Sequence, residues 1–586
     1  MGKEKKKRKI DKLKFLDNTL ANLTGFGDGA TDSNMDDCMA EMMQQQQQQQ
    51  PSTQNASEKK PVEAGSSLAG KNQQPSWMRQ NSCLSPAEID AWNRSFVAWA
   101  SGGGSGSSSY PPGLLPNLDV ELARNFKVKE ISIFLLKRFP GRDLRMPVFE
   151  RWLLDSKLEE QNHSSKTPSG VSDPVLPLHA SPESEASQRL LTEILTGGSG
   201  NTDRNGDNGP ARQDVEEAIA ELCRKTNVSC QELLAQRERY RRQSPLKKGD
   251  RIQIETSKDG DDNSKDLVTL LYSRKKWKKP FIFRVNKKHY KNLKDRFVDI
   301  HENTKKANPA TSSSWPPKAL CPNGNSSVKM VERSFHVIVL ALLLRYSAMS
   351  GGQLLEDLRG GGMQGAIHSS VFQVLQSHLG TGHEPWLEGF ASPFNATLAH
   401  FASAFPDLDW HFGSVGNFFD CSFQSSGSEY CEVNPPFTPG LMKAMSDHIF
   451  RVLARAADSD RALSFVVVVP SASEADKTTS AMKGDTEAAV KHAAGRSFRD
   501  MISNNLCTKH TRLKAREHGY IEGAQHLRPT QYKQSSYDTS IIVLQSPKAA
   551  LQFSDNEKKT ALESELRQAF ASRHEIELKK RKAVFS

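Results

Sequence analysis

The C-terminal half of the sequence predicts an α/β fold, a mostly parallel sheet with helices on both faces. Three observations carry that prediction. Apolar strand-like runs such as Leu463 to Val469 alternate with amphipathic helical stretches, the pattern that crossover connections produce. Ten of the 27 phenylalanines fall between Phe390 and Phe450, which marks a dense core. Thr438 and Pro439 stand directly behind a short apolar run and suit a helix cap and first turn. A mainly helical accessory domain is expected ahead of this half, and a disordered region ahead of that.

The chain has 586 residues, a formal net charge of +11 and 36 % hydrophobic residues. That apolar fraction lies below the ~45–50 % usual for compact domains, so part of the chain is expected not to fold. Residues 1–112 fit that part, with a basic start (Lys5 to Lys9), the run Gln44 to Gln50 and the Gly/Ser stretch Ser101 to Ser109. The basic cluster reads as a nuclear import signal, a nucleic-acid-binding arm or a solvated charge run. A short helix is expected over Ala87 to Ala100, and Trp77, Trp92 and Trp99 lack the strand pattern of a WW module. The longest apolar run, Val337 to Leu344, is too short for the roughly 20 residues of a membrane span. No secretory leader is read behind Met1. The eight cysteines form no CxxC pair, so free thiols in a reducing compartment are expected, with no metal site.

The accessory domain, 113–303, opens with helices expected over Val120 to Phe139 and Pro147 to Leu158, apolar at three and four spacing. Polar inserts are expected over Ser164 to Ser181 and Gly197 to Asp207, and a helix over Val215 to Arg242. Ser273 to Phe297 then mixes a run of basic residues, Arg284 among them, with Trp277, Phe281, Phe283 and Tyr290. Basic side chains neutralise phosphates and aromatic faces stack on bases, which makes Arg284 a candidate substrate contact. Alternatively the segment is a basic surface over an aromatic core. A linker is expected at 304–329. The α/β core, 330–550, comprises helices at Arg333 to Met349 and Ser369 to Leu379. Its strands are Trp386 to Ala391, Tyr430 to Val433, Leu463 to Val469 and Ser540 to Leu544. Leu441, Met445, Ile449, Val452 and Ala456 mark one face of the capped helix. Within 551–586, Lys558 to Lys582 is expected as a charged, peripheral helix.

One tetrapeptide carries chemistry: Asn434-Pro435-Pro436-Phe437, between the strand ending at Val433 and the capped helix. Consecutive prolines stiffen the backbone and leave carbonyls without competing N–H donors. The Asn side chain adds an acceptor and the Phe a flat ring. Two acceptors hold an exocyclic amine while the ring stacks on its base, so the nitrogen lone pair faces an incoming methyl group. Positioning of this kind is worth up to roughly 7–11 kcal/mol, and stacking about 1–3 kcal/mol. Taken alone, the same string is also a proline-rich turn.

Ordered blocks across residues 388–548 resemble the phosphorylated-CTD-interacting factor family of cap-specific adenosine N6-methyltransferases. They include Phe390-Ala391-Ser392-Pro393-Phe394-Asn395, Ser403-Ala404-Phe405-Pro406-Asp407, Phe412-Gly413-Ser414, Glu432 to Phe437, Leu463-Ser464-Phe465, Gly523 to His526 and Tyr532-Lys533. The resemblance implies a Rossmann-like methyltransferase core using S-adenosyl-L-methionine. It also implies a capped mRNA 5′ end as substrate, methylated at N6 of the 2′-O-methylated adenosine beside the cap, and a nuclear location. It places Ser392, Pro393, Asn395, Gly413 and Ser414 beside the cofactor. Asn434 and Pro435 would hold the amine and Phe437 the adenine, with Tyr532 and Lys533 near the substrate. Asp420 is a candidate for the cofactor ribose, and Glu432 either orients the loop or ends a strand.

The chain departs from the family in three places. No WW domain is found, which sets aside recruitment to the RNA polymerase II machinery by that route. Thr438-Pro439-Gly440 stands where acidic residues are expected, and Ser471-Ala472-Ser473 lacks an aromatic for a cap ring. Two other readings stay open: an N6-adenine methyltransferase on internal RNA or DNA sites, and a non-catalytic RNA-binding adaptor.

Overall fold

The computed structural model describes residues 116–139, 147–163, 173–196, 210–240, 251–256, 267–275, 277, 280–307, 328–352, 365–380, 386–421, 423, 429–471, 496–522, 531–535 and 537–585. The expectations for 1–112, for most of 304–329 and for Gly523 to His526 lie outside them. The described residues fall into two compact units.

The smaller unit takes in 246–256 and 269–283 and holds most of a sheet ordered β1 (Arg251–Thr256), β2 (Leu267–Ser273), β3 (Phe281–Asn286). Its aromatic residues face inward. Tyr272, Trp277, Phe281 and Phe283 are all buried, with Tyr272 edge-on to Trp277 at 5.4 Å and Phe281 beside Phe283 at 4.6 Å. These rings are core, and the stacking surface considered for this segment is absent from them. Arg284 is exposed on β3.

The larger unit begins with α1 (Leu118–Arg138), α2 (Pro147–His163), α3 (Glu185–Thr196) and α4 (Arg212–Tyr240). Asn117 caps α1, its side chain accepting from the Asp119 and Val120 amides. Part of the segment expected as a polar insert is packed instead: Asp173, Val175 and Leu176 are buried, and Asp173 accepts both oxygens' worth of contact from Arg124 Nε, at 2.9 and 3.1 Å. Helices α5 (Lys287–Ala307) and α6 (Val328–Met349) follow. Arg345 of α6 is fully buried and joins Glu121 of α1, at 2.6 and 2.8 Å, to Asp407, at 3.1 and 3.2 Å. Glu121 is bracketed by Arg124 and Arg345, and its pKa is lowered despite burial. At Asp407 burial, helped by the nearby Glu121, outweighs Arg345 and Arg124 and leaves the pKa raised.

Next come β4 (Gly365–Ala366), α7 (Ser369–Leu379), β5 (Trp386–Glu388), α8 (Pro406–Asp409), β6 (Glu429–Val433), α9 (Pro439–Asp458) and β7 (Leu463–Pro470). The chain ends with β8 (Cys507–Leu513), β9 (Gly519–Glu522), β10 (Gln531–Gln534), β11 (Thr539–Gln545), α10 (Pro547–Gln552) and α11 (Asn556–Phe585). The main sheet has the order β5-β6-β7-β11-β8. Bridges from Glu388 to Phe401 and from Phe401 to Ser414 extend it beyond β5 in the parallel sense. Every residue of β11, and all of β7 but Pro470, is buried. Cys431, Val433, Phe465, Val467, Ile542 and Leu544 face α9, while Tyr430, Val466, Val468, Ile541 and Val543 face α7 and α11. Burial on both faces is why these strands read as continuous apolar runs.

Two expectations change here. The mostly parallel sheet holds for β5, β6 and β7, but β11 is antiparallel to both neighbours. Among the described residues only the antiparallel pair β9–β10 lies between β8 and β11. A return without a crossover helix delivers an antiparallel strand. The terminal helix is not peripheral over its first half, since Leu562, Leu566 and Phe570 repeat every fourth residue and are buried against the sheet.

Candidate active site

Register builds the site. Glu388 of β5 lies beside Glu432 of β6 on one side and Phe401 on the other, with Ser414 beyond. The residues that follow each leave the same edge of the sheet. From β5 the chain first moves toward Ser414, then crosses back to β6. The strand order therefore reverses between β5 and β6, and such a switch point opens a crevice at the strand ends where α/β sheets bind ligands.

Asn434 to Phe437 leaves β6 at that crevice. Asn434 is buried, and its Nδ2 donates to the Gly365 carbonyl of β4 at 2.8 Å, which orients the amide and leaves Oδ1 as its acceptor. The Pro436 carbonyl already accepts from the Thr438 amide at 2.8 Å. The pair of carbonyls read from the sequence as open is thus reduced, and Pro435 is the proline oxygen that faces no such donor among the described residues. Thr438 caps α9 as expected, its Oγ1 accepting from the Leu441 amide at 3.4 Å. Phe437 is half-buried, with Tyr537 edge-on to it, rings 6.0 Å and 89° apart.

Sequence reasoning missed Tyr537, Tyr520 and Gly365, which close a cup around the tetrapeptide. Tyr537 neighbours Tyr520 at 6.3 Å, and the Tyr520 ring lies against Gly365, whose carbonyl holds Asn434. Thr539 fixes Tyr520 Oη at 2.6 Å and His518 Nε2 at 2.6 Å. Because β11 is antiparallel and pairs Thr539 with Pro470, its entry brings Tyr537 to the edge where β6 and β7 end. The only signal in the sequence is a tyrosine just ahead of the last strand.

The loop after β5 is a tight turn. The Ser392 amide and Oγ both donate to Asn395 Oδ1, at 2.7 and 2.9 Å, and the Asn395 amide donates back to the Ser392 carbonyl at 3.1 Å. Pro393 is buried in it. The Glu388 carboxylate accepts from the Thr397 and Leu398 amides at 2.8 and 3.0 Å. Arg296 of α5, unmarked in the sequence reading, donates to the carbonyls of Ala396 and Leu398 at 2.6 and 3.0 Å. Gly413 and Ser414 lie two strands out from β5. There Gly413 has φ +107°, and Ser414 Oγ meets Ser403 Oγ at 2.8 Å. The structure therefore gives Ser392, Asn395, Gly413 and Ser414 intramolecular work in shaping the edge. Tyr532 and Lys533 pair with Ile521 and Tyr520 across β9–β10, Lys533 being exposed. Asp420 ends a short 3-10 turn and is exposed.

Beneath the crevice lie two buried carboxyls. Burial pushes Glu388 up to about 7, against the Leu398 and Thr397 amides and Arg296, and it pushes Glu432 well above the usual carboxylate range, with the neighbouring Glu388 adding to that rise. Glu432 Oε1 has no hydrogen-bond partner among the described residues.

Residues 320–523 match the family model described as the phosphorylated CTD interacting factor 1 WW domain. Over this segment the chain is similar to that family. A 210-residue stretch is 33 % identical to mouse (Mus musculus) and 34 % identical to human (Homo sapiens) proteins named mRNA (2'-O-methyladenosine-N(6)-)-methyltransferase. It covers 36 % of this chain and 25 % of each relative, so the chain spans about a quarter of the length of the curated relatives it matches. The family match overturns the expectation that no WW domain is found. That reading sought a short strand module around Trp77, Trp92 and Trp99, whereas the matched segment falls on the helices and sheet from α6 to β9. No helix among the described residues is long and apolar enough to cross a membrane.

Proposed function

We propose that the chain is an S-adenosyl-L-methionine-dependent RNA methyltransferase acting on N6 of the adenosine beside a 7-methylguanosine cap, in the nucleus. The observation that supports it most is the placement of Asn434 to Phe437. A stiff acceptor-and-ring tetrapeptide stands at the strand-order reversal, its Asn amide locked by Gly365 so that Oδ1 is the atom presented. The names of the mouse and human relatives supply the substrate class. A Rossmann-like layout is supported by the order of parallel strands on both sides of β5 and the antiparallel β11.

The residues present suit a cationic donor. Glu388 and Glu432 are buried carboxyls at the crevice, and Glu432 Oε1 lacks a partner among the described residues. A nearby positive charge would compensate that carboxyl. Ser392, Pro393 and Asn395 would border the donor from the β5 side, with Gly413 and Ser414 shaping the outer edge. When bound, the donor supplies an electrophilic methyl group. Asn434 Oδ1 and the Pro435 carbonyl accept the two amine hydrogens, and Phe437 takes the adenine face, with Tyr537 at right angles to it. No strong base is needed first, because the proton leaves an already cationic product. A cap-adjacent nucleotide is unpaired, so little unstacking energy opposes its entry. Arg284 and Lys533, both exposed, would contribute to phosphate attraction, giving salt-sensitive binding.

Mass spectrometry of capped and uncapped adenosine-initiated RNA, after incubation with labelled donor, tests the reading. Expected is N6-methyladenosine at the first position of capped RNA, lost by about 100-fold or more in Asn434→Ala and Phe437→Ala variants that keep their circular dichroism. Equal methylation of both RNAs removes the cap, and absence of label from every RNA removes the enzyme.

A further inference from the structure

The tetrapeptide is gripped at both ends, and only one grip comes from the sheet. At its start, Asn434 is tied to Gly365. At its end, Thr438 Oγ1 donates to Asp155 Oδ1 at 2.9 Å, a carboxylate 283 residues earlier in the chain, on α2. The amides of Gly440 and Leu441 also donate to Asp155, so one buried carboxylate gathers the open amides of the first turn of α9. Burial raises the Asp155 pKa, and Arg189, the Thr438 hydroxyl, those amides and the helix dipole work against that by favouring the negative charge. Arg189 of α3 holds the other carboxylate oxygen at 3.1 Å and is itself braced by Glu185 and Glu159. Gly440 makes room: a Cβ there would stand 2.6 Å from Asp155 Oδ1. The acidic group that the family resemblance expects just behind the tetrapeptide is thus supplied from another element.

We propose that Asp155 is a positioning residue for the transfer site, its carboxylate fixing Thr438 and with it the spacing of the Asn434 and Pro435 acceptors from the Phe437 ring. The inference rests on the methyltransferase reading and deepens it, giving the helical region a part in the chemistry. A loop pinned at one end pivots, and a misplacement of about 1 Å can cost on the order of 100-fold in rate. Pinning at both ends removes the pivot without touching substrate.

The test compares Asp155→Asn, Thr438→Val and Thr438→Ser in the full chain. It uses steady-state methylation of capped RNA together with hydrogen exchange of amides 438–442. Asp155→Asn keeps the shape but places an NH2 or a weaker acceptor against Arg189 and the amides. Expected are a kcat lowered about 10- to 100-fold with RNA KM within about 2-fold, and faster exchange at 438–442. Thr438→Val should follow the same pattern, with Thr438→Ser close to wild type. The double variant Asp155→Asn/Thr438→Val should be no worse than the poorer single one. An unchanged kcat, or a raised KM at constant kcat, overturns the proposal, as does unchanged exchange. If Asp155→Asn fails to fold, Thr438→Val against Thr438→Ser decides. If the wild-type chain methylates nothing, the function reading fails by itself, and exchange at 438–442 still judges the grip.

Discussion

At the scale of single residues, Glu432 shows how burial sets chemistry. It lies buried beside Glu388, and burial keeps on both carboxyls protons that the unfolded chain would release near its ordinary pKa of 4.5. The folded values are raised, so this pair's stability contribution is complete below about 4.5. It is lost as pH rises through about 7 for Glu388 and higher for Glu432. Glu432→Gln removes a site that must ionise or stay protonated at cost. Its melting temperature should exceed wild type at pH 8, by a few degrees for each ~1 kcal/mol, and the difference should shrink toward pH 5. A gap that widens on acidification would contradict this account. The placement of Asn434 to Phe437 between a strand and a capped helix was legible in the sequence because those signals are local. Tyr537, Gly365 and Asp155 carry no local mark, since their part depends on which strand or helix lies beside them.

At the scale of elements, the strand edge beyond β5 depends on one backbone conformation. Gly413 adopts φ +107°, and a Cβ there would stand 2.3 Å from the Ala399 carbonyl oxygen. Gly413→Ala should cost at least about 1–3 kcal/mol from backbone strain alone, read as a lowered denaturant midpoint. Gly416 has φ +136° with open space around its Cβ position, so Gly416→Ala should cost less. Equal losses would show that the Ala399 contact is unimportant. Helices with strong periodicity were legible almost to the residue: Ser369–Leu379 is found as read, and Thr438 caps α9. The small sheet was not, because the side chains of Trp277, Phe281 and Phe283 read equally as stacking faces or as core. Only their burial separates the two. The terminal helix misled through its charge, which hides the four-residue repeat of Leu562, Leu566 and Phe570.

At the scale of the whole molecule, the helical region and the sheet are joined through buried charge. Arg345 serves Glu121 and Asp407 with no exposure to solvent. Removing one partner of such a pair leaves uncompensated charge and typically costs about 3–5 kcal/mol. Arg345→Met should therefore lower the urea midpoint strongly, and Arg345→Lys should recover part of the loss because one ammonium cannot serve both carboxylates bidentately. A midpoint within error of wild type for Arg345→Met would mean the junction holds by apolar packing. Composition could not reveal this union, since Glu121, Asp173, Arg345 and Asp407 are scattered across nearly 300 residues and look like ordinary surface charges until they meet.

The order of strands also carries a timing consequence. Among the described strands β11 comes last in the sequence, yet it lies between β7 and β8 and not at the rim. Domains generally fold as units while the ribosome elongates the chain. Here the place between β7 and β8 stays vacant until residues 539–545 emerge, and Tyr537 arrives just ahead of them. During elongation, Asn434 to Phe437 therefore emerge about a hundred residues before the tyrosine that stands edge-on to Phe437.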